Sequence, residues 1–162
     1  MKKVGIIMGS DSDLPIIQKT VDMLRGLEIE FEVHVFSAHR TPAEARDFAV
    51  SARSNDFGVL ICAAGMAAHL AGAIAANTTL PVIGIPCKGP VLDGMDALLA
   101  TVQMPTGIPV ATVAINGGAN AALLAAQILA VCEPDLAKKL DEKRISDAKA
   151  VLEKDAGILN RL

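Results

Sequence analysis

The chain has no tryptophan and no tyrosine, and only four phenylalanines in 162 residues. It has almost nothing with which to stack nucleobases, which excludes an aromatic nucleic-acid platform, and its core must be built from aliphatic residues and alanine. Cationic excess is also missing. Fifteen Lys and Arg stand against 18 Asp and Glu, a net charge of −3, so the electrostatic footprint of a polyanion-binding protein is absent. Cysteine is sparse: Cys62, Cys87 and Cys132 form no CxxC pair and are odd in number, which makes no disulfide framework. Lys2 and Lys3 are followed by only five residues before Gly9, too short an apolar run for a secretory signal. The expectation is a reduced, cytoplasmic protein with no nucleic-acid partner.

Charge is missing most of all from the middle of the chain. Between Gly58 and Cys132 the only charged residues are Lys88, Asp93 and Asp96. A membrane span would need roughly 20 consecutive, mainly apolar helical residues. The charge-free stretch from Gly58 to Cys87 is instead interrupted by Gly65, His69, Gly72, Asn77, Thr78, Thr79 and Pro81, so no membrane partner is expected. A domain of this size buries only about 70% of its chain surface. So large an uncharged segment is then more simply hidden between subunits than inside one, which predicts an obligate homo-oligomer; an unusually alanine-rich surface is the alternative.

What is present is a regular alternation. Five β-rich runs, Val4–Met8, Phe31–Phe36, Val59–Cys62, Val82–Ile85 and Val110–Ile115, are mostly continuous in apolar character, as strands buried on both faces are. Helical patterns separate them. Leu14, Ile17, Val21 and Leu24 share one face before a stop at Gly26. Thr41-Pro42-Ala43-Glu44 reads as a capping box with proline at the first helical position. Ala67–Asn77 and Asp93–Val102 are the third and fourth helices, and Asn120–Val131, apolar almost all round, reads as a helix buried at the centre of an assembly. A last helix from Pro134 to about Glu153 sets Leu136, Leu140, Ala148 and Val151 against a charged face. Repeated β-α units imply a parallel sheet covered on both faces. The expected fold is one three-layer α/β/α sandwich, flavodoxin-like or Rossmann-like in class, spanning residues 1–162, with 134–162 a C-terminal helical extension used in oligomer packing.

In such sheets ligands bind beyond the carboxyl ends of the strands. The segments that follow the five runs are Gly9-Ser10-Asp11-Ser12-Asp13, Ser37-Ala38-His39-Arg40-Thr41-Pro42, Ala63-Ala64-Gly65-Met66-Ala67-Ala68-His69, Pro86-Cys87-Lys88-Gly89 and Asn116-Gly117-Gly118. Gly9-Ser10 before a helix offers backbone N–H groups and a hydroxyl to a phosphate; taken alone, plain capping with Asp13 as N-cap is the stronger reading. Arg40 supplies a permanent cation and His39 an imidazole that exchanges protons near neutral pH, and a loop leading into a helix is a poor place for an idle His–Arg pair. His69 reads equally as a second ligand contact or a core histidine. His34, inside a strand, reads as structural or as an interface residue. Ala63-Ala64-Gly65 and Gly117-Gly118 would let a planar ring approach the backbone, and turn geometry explains them as well. There is no GxxxxGK[ST], GxGxxG, HExxH or GxSxG, and the histidines lack metal-ligand spacing. No metal and no cofactor are expected; what remains is a proton-transferring site for a small phosphorylated molecule.

Read together, MGSDSD at 8–13, SAHRTP at 37–42, AAHL at 67–70, LPVIGIP at 80–86, QMPTGIPVATVAI at 103–115 and NAALLAAQIL at 120–129 closely resemble the 5-(carboxyamino)imidazole ribonucleotide mutase family of de novo purine biosynthesis. SAHRTP and AAHL resemble its bacterial mutase branch rather than the animal-type branch that carboxylates aminoimidazole ribonucleotide directly. The resemblance implies an isomerisation that moves a carboxyl group from the exocyclic amine to ring carbon 4, by release and recapture of carbon dioxide, with His39 carrying the proton. It implies that Ser10, Asp13 and Arg40 hold the phosphoribosyl part, that Ala64, Gly65 and His69 cover the imidazole, and that Asp11 and Ser37 also bind substrate. It also implies an octamer with sites at subunit junctions. The usual loop of the family, GAGGAAHLPG, is altered here: Met66 replaces a glycine and Ala71 a proline. Met66 either narrows the pocket or turns back as core filler. Two rival readings stay open, a direct carboxylase and a non-catalytic nucleotide-binding octamer.

Overall fold

The computed structural model describes residues 1–161. Its strands are β1 (Lys3–Met8), β2 (Phe31–Val35), β3 (Phe57–Gly65), β4 (Val82–Cys87) and β5 (Ala111–Thr112), and its helices α1 (Leu14–Gly26), α2 (Pro42–Ser51), α3 (Leu70–Ala75), α4 (Met95–Val102), α5 (Gly118–Ala130) and α6 (Pro134–Ala156). The sheet has the order β2-β1-β3-β4-β5 and every pairing is parallel. The expected flavodoxin-like arrangement is found.

Side-chain alternation builds the layers. Val4, Ile6 and Met8 of β1, Val59, Ile61 and Ala63 of β3, and Ile83 and Ile85 of β4 share one core with α1 and α5. Ile7, Leu60, Cys62 and Val82 meet Ala45 and Ala49 of α2 and Leu70, Ala71 and Ile74 of α3 on the opposite face. Each isoleucine removed from water contributes roughly 1.5–3 kcal/mol, so the central strands secure the fold. β2 is an edge strand that leaves Val33 and Val35 exposed.

Several local expectations are corrected. The run Val110–Ile115 forms only a two-residue strand, because β5 has β4 as its single partner and beyond Thr112 the ladder thins to the bonds Val113 N–H to Gly84 O (3.1 Å) and Asn116 N–H to Pro86 O (2.9 Å). Leu14 is exposed, and Thr20 joins Ile17, Val21 and Leu24 in the buried row of α1. The capping box does not form, because Thr41 Oγ1 is drawn back to Ser37. α3 begins only at Leu70. α5 buries Ala121, Ala122, Ala125, Ala126 and Leu129 within the chain and leaves Asn120 and Gln127 exposed. Along α6 only Leu136 is buried, and Val151 is exposed.

The α1–α5 contact is close. Thr20 Oγ1 donates to Gly118 O at 3.0 Å, and a Cβ on Gly118 would lie 2.3 Å from the Ile16 carbonyl oxygen. A backbone atom cannot rotate away. Gly118→Ala is therefore expected to destabilise the protein by about 3 kcal/mol, the upper end of overpacking costs. Gly26→Ala, with nothing within 4 Å of the added carbon, should be neutral or slightly stabilising. Urea denaturation of the two variants checks the contrast.

Candidate active site

Chain crossovers diverge at the junction of β1 and β3, because β2 lies beyond β1 and β4 beyond β3. A cleft opens there, outside the carboxyl ends of the strands. It has a volume of about 500 Å³ and receives residues from four of the five loops, including Ser10, Asp13, Ser37, His39, Arg40, Ala64, Gly65, Met66, His69 and Lys88. Asp11 is exposed and lies outside this lining; it accepts a hydrogen bond from the Ser10 hydroxyl at 3.3 Å. A larger groove of about 920 Å³ at the amino ends of β4 and β5 contains one titratable side chain, Arg53, among its lining residues, and so offers no proton-transfer pair.

The first loop turns at once into a 3-10 turn over Asp11–Asp13, capped by Ser10, whose Oγ accepts from the Ser12 N–H at 3.3 Å. Ser12 Oγ donates to Ser10 Oγ at 3.0 Å. Asp13 occupies the N-cap position of α1, but its carboxylate makes no capping bond, so plain capping by Asp13 is not the reason for this acid. Its carboxyl is instead pushed above the usual carboxylate range, chiefly by burial, with the Cys87 thiol and the Ser10 backbone partly opposing. Cys87 is pushed up to about 12, by burial first and then by the neighbouring Asp13 charge. It is a protonated thiol at neutral pH and not a nucleophile.

The second loop is a locked turn. Ser37 N–H donates to Thr41 Oγ1 at 2.8 Å, Thr41 N–H donates to Ser37 O at 2.8 Å, and Arg40 N–H donates to Ser37 Oγ at 3.2 Å. It brings His39 against His69 of the third loop, with His39 Nε2 and His69 Nδ1 2.8 Å apart and the rings edge to face at 73°. One nitrogen of this pair must carry a proton and the other a lone pair. His69 is thus exposed in the cleft and not a core residue. His34 stacks on Phe36 at 5.1 Å and does not line the cleft.

The third loop explains its own shape. Gly65 lies so near β4 that a Cβ would sit 3.3 Å from Cys87 O. Met66 has φ +54 and is 60% exposed; it lines the cleft beside Gly89, which excludes the core-filler reading and marks the left-handed position that glycine fills without strain. Ala71, in the first turn of α3, stands where proline is also compatible with a helix. Gly117 and Gly118 do not line the cleft; they serve the turn into α5 and its packing on α1. Ser12 and Met66 belong to the lining as well, a placement that no spacing rule reveals.

The family model described as AIR carboxylase matches residues 3–150. The chain belongs to the AIR carboxylase family. It is 51% identical over 144 residues to the N5-carboxyaminoimidazole ribonucleotide mutase of Pyrococcus abyssi, covering 89% of this chain and 83% of that protein. It is 52% identical over 152 residues to the protein of that name from Bacillus subtilis, covering 93% and 94%. The crystal structure of Treponema denticola PurE matches with a TM-score of 0.84 at 28% identity, over 94% of this chain and 96% of that one. In this chain the serines Ser10, Ser12 and Ser37 and the histidine pair share one lining.

Because burial raises the Asp13 carboxyl, the folded state binds this proton at a pH where the unfolded chain has released it. Stability contributed here therefore falls as pH rises from the ordinary carboxylate value of about 3.9 through the folded value, and the penalty persists above it. Asp13→Asn is expected to raise the melting temperature at pH 7, with the gain shrinking as pH is lowered toward 4, while ligand affinity falls. Thermal melts across that range, with and without ligand, check both halves.

Proposed function

We propose that the chain is a 5-(carboxyamino)imidazole ribonucleotide mutase of purine biosynthesis, an isomerase that moves a carboxyl group from the exocyclic amine to carbon 4 of an aminoimidazole ribonucleotide. The observation that carries the reading is the His39–His69 pair at 2.8 Å, in the same cleft as Arg40, Ser10 and Ser37. Mutase relatives at about 50% identity support it.

The chemistry balances without a cofactor. Cleavage of the nitrogen–carboxyl bond releases carbon dioxide and leaves a pair of electrons on nitrogen that takes up a proton. Carbon 4 then attacks the carbon dioxide and loses its ring proton. One proton leaves carbon 4 and one arrives at nitrogen, so a single imidazole that gives first and takes back later completes the cycle. His39 is that carrier, and His69 holds its ring. Ser10, Asp13, Ser37 and Arg40 bind the phosphoribosyl part, and Ala64 and Gly65 face the imidazole; Asp11 acts through its bond to Ser10. Retaining carbon dioxide beside the ring replaces a bimolecular capture by a near-unimolecular one, an effect worth up to roughly 7–11 kcal/mol.

We assign the reaction to the cytoplasm, a reading supported by free Cys62, Cys87 and Cys132; among the described residues no helix is long and apolar enough to cross a membrane. The working unit is a homo-oligomer, an octamer in this proposal, with the C-terminal extension in its contacts. Its support is apolar surface. Val91, Leu92, Met95, Leu99 and Val102 are exposed from the loop after β4 through α4, and Ile145, Val151 and Leu152 along α6, and exposed apolar patches mark interaction surfaces.

The deciding experiment follows ultraviolet absorbance with purified 5-(carboxyamino)imidazole ribonucleotide, in parallel with aminoimidazole ribonucleotide plus bicarbonate. Conversion of the former is expected, with His39→Asn slower by about 10²–10⁴-fold. Conversion of only the latter would assign the direct carboxylase, and silence in both a binding protein. For the assembly, light scattering of Leu99→Glu is expected to show smaller species than the parent. An unchanged mass would remove α4 from the interface.

A further inference from the structure

Two basic side chains line the cleft, Arg40 from the loop after β2 and Lys88 from the loop after β4. β1 and β3 lie between these strands. At about 4.8 Å per strand spacing, the two loops leave the sheet roughly 14 Å apart, on opposite flanks of the cleft floor. The serine hydroxyls Ser10, Ser12 and Ser37 accompany Arg40 at its flank. No hydroxyl side chain accompanies Lys88; its neighbours in the lining are Gly89, Pro90 and Met66.

Lys88 is also held as few surface lysines are. Its N–H donates to Asn116 Oδ1 at 2.8 Å, which ties the loop after β4 to the loop after β5. Its Cα packs against Gly94, whose φ of +93 and lack of side chain permit the approach, since a Cβ there would lie 3.2 Å from Lys88 Cα and 2.8 Å from Ile115 Cγ2. Its Nζ lies 3.0 Å from Asp93 Oδ1, and both side chains of that pair are mostly exposed. An exposed pair contributes little stability, so an arriving carboxylate exchanges with Asp93 at small cost. The backbone is fixed and the ammonium is replaceable, which is the arrangement expected of a ligand contact.

We propose that Lys88 binds the migrating carboxylate and thereby sets the preference of the site for the carboxylated ribonucleotide over its decarboxylated form. This rests on the reaction proposed above, whose substrate carries a phosphate at one end and a carboxylate at the other. Arg40 and the serines match the phosphate, and Lys88 matches the carboxylate at the far flank.

The test compares ligands that differ in one carboxylate. Calorimetric titration of the full chain with 4-carboxy-5-aminoimidazole ribonucleotide and with aminoimidazole ribonucleotide should show Lys88→Met weakening the first by on the order of 10-fold, the scale of one charged hydrogen bond, and the second by less than twofold. Lys88→Arg should restore most of the difference, and KM for the carboxylated substrate should rise in Lys88→Met with kcat changed less. Equal weakening of both ligands, or no weakening of either, would overturn the assignment. The outcome is separable from the reaction itself: if the parent chain fails to isomerise its substrate, the mutase reading falls whatever Lys88 does to binding.

Discussion

The parallel pairing of β1 with β3 governs the site, because the chain leaves one of these strands toward β2 and the other toward β4, and among the described residues nothing covers the gap between the departing loops. Residue pairs from Val4–Val59 to Met8–Ala63 hold this register, and the Gly9 N–H extends it by one bond to Ala63 O at 3.1 Å. The floor of the cleft is therefore the end of the hydrophobic core. Ala63, fully buried in that core, is followed directly by Ala64 and Gly65 at the lining.

From that floor the polar groups are placed by short, self-satisfying turns. Ser10 caps its own 3-10 turn, and Ser37 and Thr41 bond one another. Such turns satisfy their hydrogen bonds locally, which leaves the His39 and His69 imidazoles to meet in the cleft, with Arg40 in the same lining. Where strands and helices approach at glycine and alanine contacts, as Gly118 does against Ile16, a large ring has no room.

Much of this was legible in the sequence, for identifiable reasons. Apolar runs such as Ile6-Ile7-Met8 and Val59-Leu60-Ile61-Cys62 announce doubly buried parallel strands, and the switch-point rule then gathers the loops that follow them. The motifs SAHRTP and AAHL carried the family resemblance, and the family match agrees with it. What escaped was tertiary. The capping box around Thr41 is locally sound, yet Ser37 claims the hydroxyl. The start of α3 is delayed by the turn through Met66, where a non-glycine residue takes a left-handed conformation that no periodicity signals. The meeting of His39 with His69, and the tether on Lys88, depend on residues 30 and 28 positions apart, and spacing alone does not encode either.

The two sides of the cleft differ in mechanical character. Its floor shares atoms with the core, so the floor cannot shift unless the sheet does. Its rim at Lys88–Gly94 has exposed Val91 and Leu92 at its tip, is tied to the body by the Asn116 bond and the packing of Gly94 on Ile115, and carries the exposed Lys88–Asp93 pair within itself. Salt screens that pair, whereas the floor has no charge to screen. Ionic strength therefore acts on the charges at the rim and not on the uncharged Ala63–Gly65 floor: salt changes what the Lys88 ammonium meets without moving the surface beneath it.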